Sequence, residues 1–296
     1  MANLREIRNR IESVNNTQQI TRAMKMVAAA KLRKAQNRIE ETRPYAFKMK
    51  EVVARLVNNA KGDNVLLRKP EEVRNVLLIL VSSDRGLCGA FNNNLFKVVE
   101  SHIHGPLKDY HKSGNLSLLC IGKKGMKHFK KRGYTLYDQH PGFFDDLSFN
   151  VTADVMQDAI GLFESGQFDE VHLAYNEFKS VLVQNRKIEK LLPIEPDSLV
   201  DSKESADDLI DYIYEPDPNQ ILDQLLPLHL NMQLWKAVLD SNAAEQGARM
   251  TAMDNATENA EELEQDLRLE YNQARQSAIT TEISEIVSGA QALQES

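Results

Sequence analysis

TQQITRAMKMVAAAKLRKAQNRIEETR, residues 17–43, decides the architecture. Read outward in alternating steps of three and four, it selects Leu4, Ile7, Ile11, Val14, Gln18, Thr21, Lys25, Ala28, Leu32, Ala35, Ile39, Thr42, Ala46, Met49, Val53 and Leu56. This is the period of a coiled-coil seam. Most positions are apolar, but Gln18, Thr21 and Lys25 interrupt the run together, beside Met24 and Met26. A seam that turns polar over two turns is expected to lose or change its partner helix there. Residues 3–59 contain no glycine and one proline, Pro44. A continuous helix of that length would run roughly 85 Å, so it must project or pair. Pro44 removes a backbone donor and disfavours helix at Arg43, which predicts a kink or short break.

A second long helix is expected from Ile221 to Leu293, with Pro227 near its start and Gly247 inside it. Its apolar positions at 256, 260, 263, 267, 271, 274 and 278 step close to eleven residues per three turns, predicting a straighter or slightly right-handed supercoil. The first helix is basic between 17 and 43 (Arg22, Lys25, Lys31, Arg33, Lys34, Arg38, Arg43). The second is acidic between 254 and 270 (Asp254, Glu258, Glu261, Glu262, Glu264, Asp266, Glu270). Opposite charge suits pairing with each other or contact with two different partners.

Strand and helix alternate between these arms. VRNVLLILVSS at 73–83 reads as a buried strand, and SDRGLCGAFNNNLFKVVESHI as a glycine-bearing turn entering a helix. LSLLCI at 116–121 is a second strand, GKKGMKHFKKRG a short basic helix, YTLYD a weaker strand and VTADVMQDAIGLFESGQ an amphipathic helix. Two more strands are expected, alternating at Val171, Leu173, Tyr175 and at Val181, Val183. The order predicts a Rossmann-like α/β domain with a mainly parallel sheet, inserted between the arms of a long antiparallel coiled coil. The boundaries are 1–60 for the first arm, 70–218 for the α/β domain and 219–296 for the second arm. The loop NNAKGDN releases the first helix, Glu195–Asp208 reads as an acidic loop, and DYIYEPDPNQ as a short strand.

With 42% hydrophobic and 27% charged residues, the 296-residue chain has an ordinary globular composition. It holds no run of the roughly 18 apolar residues needed to cross a bilayer. The opening MANLREIRNR has no secretory or transit character, favouring a bacterial chain. Two cysteines, Cys88 and Cys120, offer neither a disulfide framework nor a metal cluster. A net charge of −7 argues against nucleic acid.

Each chemical motif has a plainer reading. IGKKG at 121–125 follows a strand but lacks phosphate-loop spacing and its Ser or Thr, leaving an ordinary turn. Cys88 in SSDRGLCG has no base nearby to activate it. His102, His104 and His111 share neither an i, i+4 face nor carboxylates, so no metal is expected. No cofactor is expected either. Met24 and Met26 are the size and type of residue that fill core gaps, and only their coincidence with the polar break raises contact with a surrounding partner. The whole reads as a shaft or scaffold with a non-catalytic α/β domain. A cytoplasmic coiled-coil scaffold and a nucleotide-binding α/β enzyme are the alternatives.

The chain resembles the gamma subunits of F-type ATP synthases at NTQQITRAMKMVAAAKLRKAQ (16–36), SSDRGLCGAFN (82–92), YEPDP (214–218), EQGARMTAMDNAT (245–257) and YNQARQSAITTEISEIVSGA (271–290). The resemblance covers essentially the whole chain. It implies a central rotary stalk that turns inside a hexamer of three alpha and three beta subunits, coupling proton flow to ATP synthesis. It also implies delta and epsilon subunits and a membrane c-ring as partners. The location would be peripheral, on the cytoplasmic side of the cell inner membrane, with no direct membrane insertion.

By resemblance, Met24 and Lys25 lie near an acidic lever region of the catalytic subunits, and Arg249, Gln276 and Thr280 hydrogen-bond to a loop of those subunits. Tyr212, Tyr214 and Glu215 fall where the family's foot rests on the membrane ring. Chloroplast members carry a regulatory cysteine pair before the last helix. Residues 190–220 contain no cysteine here, so thiol control of that kind is not expected.

Overall fold

The computed structural model describes residues 4–59, 64–68, 70–196, 215 and 217–294. Two long helices bracket the chain, α1 (Leu4–Asn59) and α6 (Pro218–Gln294). Between them run β1 (Val76–Val81), α2 (Phe91–His104), α3 (Lys108–Ser113), β2 (Leu116–Ile121), α4 (Lys123–Lys131), β3 (Leu136–His140), α5 (Phe149–Glu164), β4 (Glu170–Phe178) and β5 (Gln184–Leu192). Backbone contacts define two compact units, Met1–Ala28 with Met250–Ser296, and Ala29–Arg249.

In the larger unit the sheet order is β3-β2-β1-β4-β5. The first four strands are parallel and β5 is antiparallel to β4. β1 is central, which explains its unbroken apolar run, since a strand covered on both faces has no polar side. Val76, Leu78 and Leu80 pack with Leu95, Phe96 and Val99 of α2 and Phe129 of α4. Leu77, Ile79 and Val81 pack with Val155, Met156 and Phe163 of α5. The same second face receives Met49, Val53 and Leu56 of α1 and Leu222, Leu226, Leu230 and Leu234 of α6. Further along, Ile39 and Ala46 meet Trp235 and Leu239, and Leu32 and Ala35 meet Ala243. Position on α6 rises as position on α1 falls, so the helices are antiparallel.

The smaller unit is built from the amino-terminal part of α1 and the carboxyl-terminal part of α6. Thr21 and Thr257 are buried and hydrogen-bonded at 2.7 Å. Lys25 pairs with Asp254 and Arg22 with Glu261. Thr21 and Lys25, two of the three polar positions of the seam, therefore keep their partner helix, contrary to the sequence expectation. Polar residues on α6 meet polar residues on α1, a match that the α1 pattern alone does not reveal.

Other expectations are corrected as well. α1 runs unbroken through Pro44. Pro44 and Glu40 are both exposed, so the Glu40 carbonyl that loses its donor stands on the solvent side and one missing bond does not end the helix. The last strand forms at Gln184–Leu192 rather than around Val181 and Val183. As an edge strand covered mainly on one side it carries Lys187, Glu189 and Lys190, which hides it from a search for apolar alternation. On α6, Leu263 is 42% exposed, while Met253, Thr257, Ala260 and Leu267 turn inward. The α3 helix has no counterpart in the sequence reading. Residues 60–63 of the NNAKGDN loop, 197–208 of the acidic loop, and Tyr212 and Tyr214 lie outside the described residues.

Candidate functional site

β1 delivers the chain to Ser82–Gly89, at the sheet edge where open α/β folds bind ligands. Here the chain fills that edge with its own groups. Asp84 accepts from Lys123 N (3.0 Å) and Gly142 N (2.7 Å) on one carboxylate oxygen and from Phe144 N (3.1 Å) on the other. Lys124 N donates to the Ser83 carbonyl (3.0 Å) and Gly125 N to Ser82 Oγ (2.9 Å). The first amides of α4, which could otherwise hold a phosphate, are thus consumed. Two glycines permit this closeness. A Cβ on Gly122, whose φ is +97°, would stand 2.1 Å from the Ser82 carbonyl oxygen, and one on Gly125 would stand 2.7 Å from Ser82 Oγ. IGKKG is a clasp between β1 and α4.

Cys88 is buried, and that burial, reinforced by Glu245, pushes its thiol up, away from the thiolate a nucleophile needs. His104 and His111 are brought to 5.6 Å between ring centroids, and His102 packs on His172. No group of three potential metal ligands occurs among the described residues.

Arg249 lies inside the larger unit. Its guanidinium donates to Glu245 Oε1 (2.6 Å), Gln246 Oε1 (3.2 Å) and the carbonyls of Arg85 (3.4 Å) and Gly86 (3.2 Å). The side chain ties α6 to the Ser82–Gly89 turn, and the arrangement joins residues 163 or more positions apart. Beside it opens a cleft of about 370 Å³, where Lys31, Lys34, Arg38 and Arg85 face Asp84, Asp145 and Glu245. The mixed signs favour no simple anion or cation.

Four of the other candidates, Met24, Lys25, Gln276 and Thr280, belong to the smaller unit. Met24 and Lys25 are half-buried on α1, and Met26 beside them is 67% exposed. Gln276 and Thr280 are exposed one turn apart on α6, with the Thr280 hydroxyl donating to the Gln276 carbonyl (2.9 Å). Glu215 is exposed. From Arg275 to Ala290 every α6 residue is exposed, including Ile279, Ile283, Ile286 and Val287. These fall on one helical stripe at i, i+4, i+7 and i+8, without a covering partner among the described residues. No described helix is long and apolar enough to cross a membrane.

Paired terminal helices, an inserted α/β domain whose ligand edge is closed from within, and an uncovered apolar helix end define a helical-arm subunit of a larger assembly. A family profile described as ATP synthase matches residues 3–293. The chain is 52% identical over 295 residues to the ATP synthase gamma chain of Prosthecochloris aestuarii, covering 99% of each. It is 51% identical to the gamma chain of Salinibacter ruber, covering all of each. Among solved structures it is similar to a chain of the Tetrahymena thermophila mitochondrial ATP synthase central stalk and c-ring, with TM-score 0.59 and 25% identity over 80% of this chain and 99% of that one. The chain belongs to the ATP synthase gamma-chain family.

Proposed function

We propose that this chain works as the rotary central stalk of ATP synthase, turning inside the alpha and beta hexamer and coupling ion flow through the c-ring to ATP synthesis. The observation that carries the reading is the exposed Ile279, Ile283, Ile286 and Val287 stripe. An apolar stripe of this kind on an uncovered helix is costly in water and calls for an enclosing partner. In this reading residues 1–60 and 219–296 are the stalk arms, and 70–218 is the inserted domain beside the c-ring, delta and epsilon subunits. The subunit is non-catalytic. It sits peripherally on the cytoplasmic face of the cell inner membrane.

Met24, Lys25, Gln276 and Thr280 are the proposed contacts with the catalytic subunits, all in the smaller unit. Arg249 is the proposed contact nearest the α/β domain, and Tyr212, Tyr214 and Glu215 are assigned to the ring. The test is reconstitution of the purified chain with alpha and beta subunits, followed by single-molecule rotation and ATPase assays. Failure to assemble, or tight ATP binding by the isolated chain in calorimetry, would overturn the reading.

A further inference from the structure

The α4 helix concentrates positive charge in a protein whose net charge is −7. Lys123, Lys124, Lys127, Lys130, Lys131 and Arg132 are all exposed, and Lys97 of the neighbouring α2 is exposed as well. Opposing them on these two helices is Glu100, already engaged by His128 (2.9 Å) and Arg132 (3.1 Å). Lys127, Lys130 and Lys131 have no ion-pair partner among the described residues.

We infer that this face of α4 is a docking surface for an acidic α-helix of another protein in the synthase assembly. Three observations favour that occupant. First, the display is rigid. Asp84, Ser82 and Ser83 fix the start of α4, and Phe129, fully buried, fixes its middle. Second, the lysines recur at i, i+3 or i+4, and i+7, about one turn or 5.4 Å apart along the axis. Carboxylates on one face of a second helix repeat at the same interval. Third, the face opposite the lysines is spent inside the protein, where Gly125 and Phe129 are buried. A helix that lies in a bilayer needs that face for lipid, and single-stranded nucleic acid needs exposed aromatic rings to stack on, which α4 does not offer. The inference does not depend on rotation, only on the chain residing in its complex.

Carbodiimide cross-linking of the intact complex in native membranes tests it, because this reagent joins a lysine amine to a carboxylate in direct contact with loss of water. Lys127, Lys130 or Lys131 should be recovered by mass spectrometry joined to Asp or Glu residues three or four apart in another subunit. High salt during the reaction should suppress those products. The Lys187 to Glu177 pair within the chain, 2.7 Å apart, serves as the control. Recovery of the control without any intermolecular product from α4 overturns the proposal. A second arm measures flotation of the full chain with vesicles containing phosphatidylglycerol. Binding that disappears in Lys127→Glu/Lys130→Glu/Lys131→Glu would assign the face to a membrane surface instead and also overturn it, whereas no flotation supports the protein partner.

Discussion

Thr21 and Thr257 place their hydroxyl oxygens 2.7 Å apart in the smaller unit, each less than 8% exposed. Each hydroxyl also reaches a carbonyl of its own helix, Gln18 at 3.0 Å and Met253 at 2.8 Å. A polar pair inside a seam discriminates between registers, since sliding the helices would set a hydroxyl against alkyl groups.

Replacing one member should therefore cost more than its share. Thr21→Val is expected to lower stability by about 1 kcal/mol in urea unfolding of the full chain. Adding Thr257→Val should cost less than the second single change alone. Strict additivity would show that the two hydroxyls do not interact.

The clasp between β1 and α4 makes a steric prediction. Gly125→Ala would press a methyl to 2.7 Å from Ser82 Oγ and 2.9 Å from Leu80 Cδ2. Such overpacking should destabilise by about 1 to 3 kcal/mol. Gly161→Ala, in the interior of α5 with open space around it, should stabilise by about 0.5 to 1 kcal/mol. Calorimetric melting temperatures moving in opposite directions would support both assignments.

Arg249 invites a separation of roles. Burial pushes the Glu245 carboxyl up while Arg249 opposes that push. Arg249→Met leaves the acid buried without its cation, and a loss of about 3 kcal/mol is expected in the isolated chain. Glu245→Gln in the same background should recover part of it. An unchanged unfolding midpoint in the single variant would mean that Arg249 serves partner contact alone.

Asp240 gives a pH signature. Burial raises its carboxyl to about 6, against nearby Lys236 and Lys187 that favour the charged form and Glu177 and Glu189 that oppose it. The folded state holds this proton more tightly than the unfolded chain does. Its contribution is fully present below the ordinary aspartate range and is lost as pH rises through about 6. Asp240→Asn should therefore raise stability above neutrality by as much as about 2 to 3 kcal/mol and flatten the pH profile between about 4 and 6. A variant less stable than wild type at pH 8 would contradict this.

Gln276 separates assembly from folding. Its side chain is exposed on α6, so Gln276→Leu should leave the melting curve of the isolated chain unchanged. In the reconstituted enzyme it should weaken assembly or turnover, because a partner group loses its hydrogen bond at roughly 1 to 3 kcal/mol. Wild-type ATPase activity in that variant removes Gln276 from the contact set.

The local signals carry much of the architecture. Sixteen positions in alternating steps mark the inward face of α1, and Ile7, Ala28, Leu32, Ala35, Met49, Val53 and Leu56 among them are buried. LSLLCI is strand β2 from end to end. Such periodicities are legible because each element must bury one face, and the chain's chemistry repeats at that element's pitch. β5 escaped notice for the complementary reason, that an edge strand keeps much of its length in water.

What only the tertiary structure decided is where polar groups end. Gln18, Thr21 and Lys25 look like a break in the seam, yet Thr257 and Asp254 answer two of them from more than 220 residues away. Arg249 matches a family motif, but nothing local says that it holds the carbonyls of Arg85 and Gly86. Asp84 likewise reads as one more charge in a turn until Lys123, Gly142 and Phe144 converge on it. Apolar burial is nondirectional and leaves a periodic trace in the sequence, whereas a hydrogen bond is directional and pairwise, so its partner is fixed only when distant elements meet.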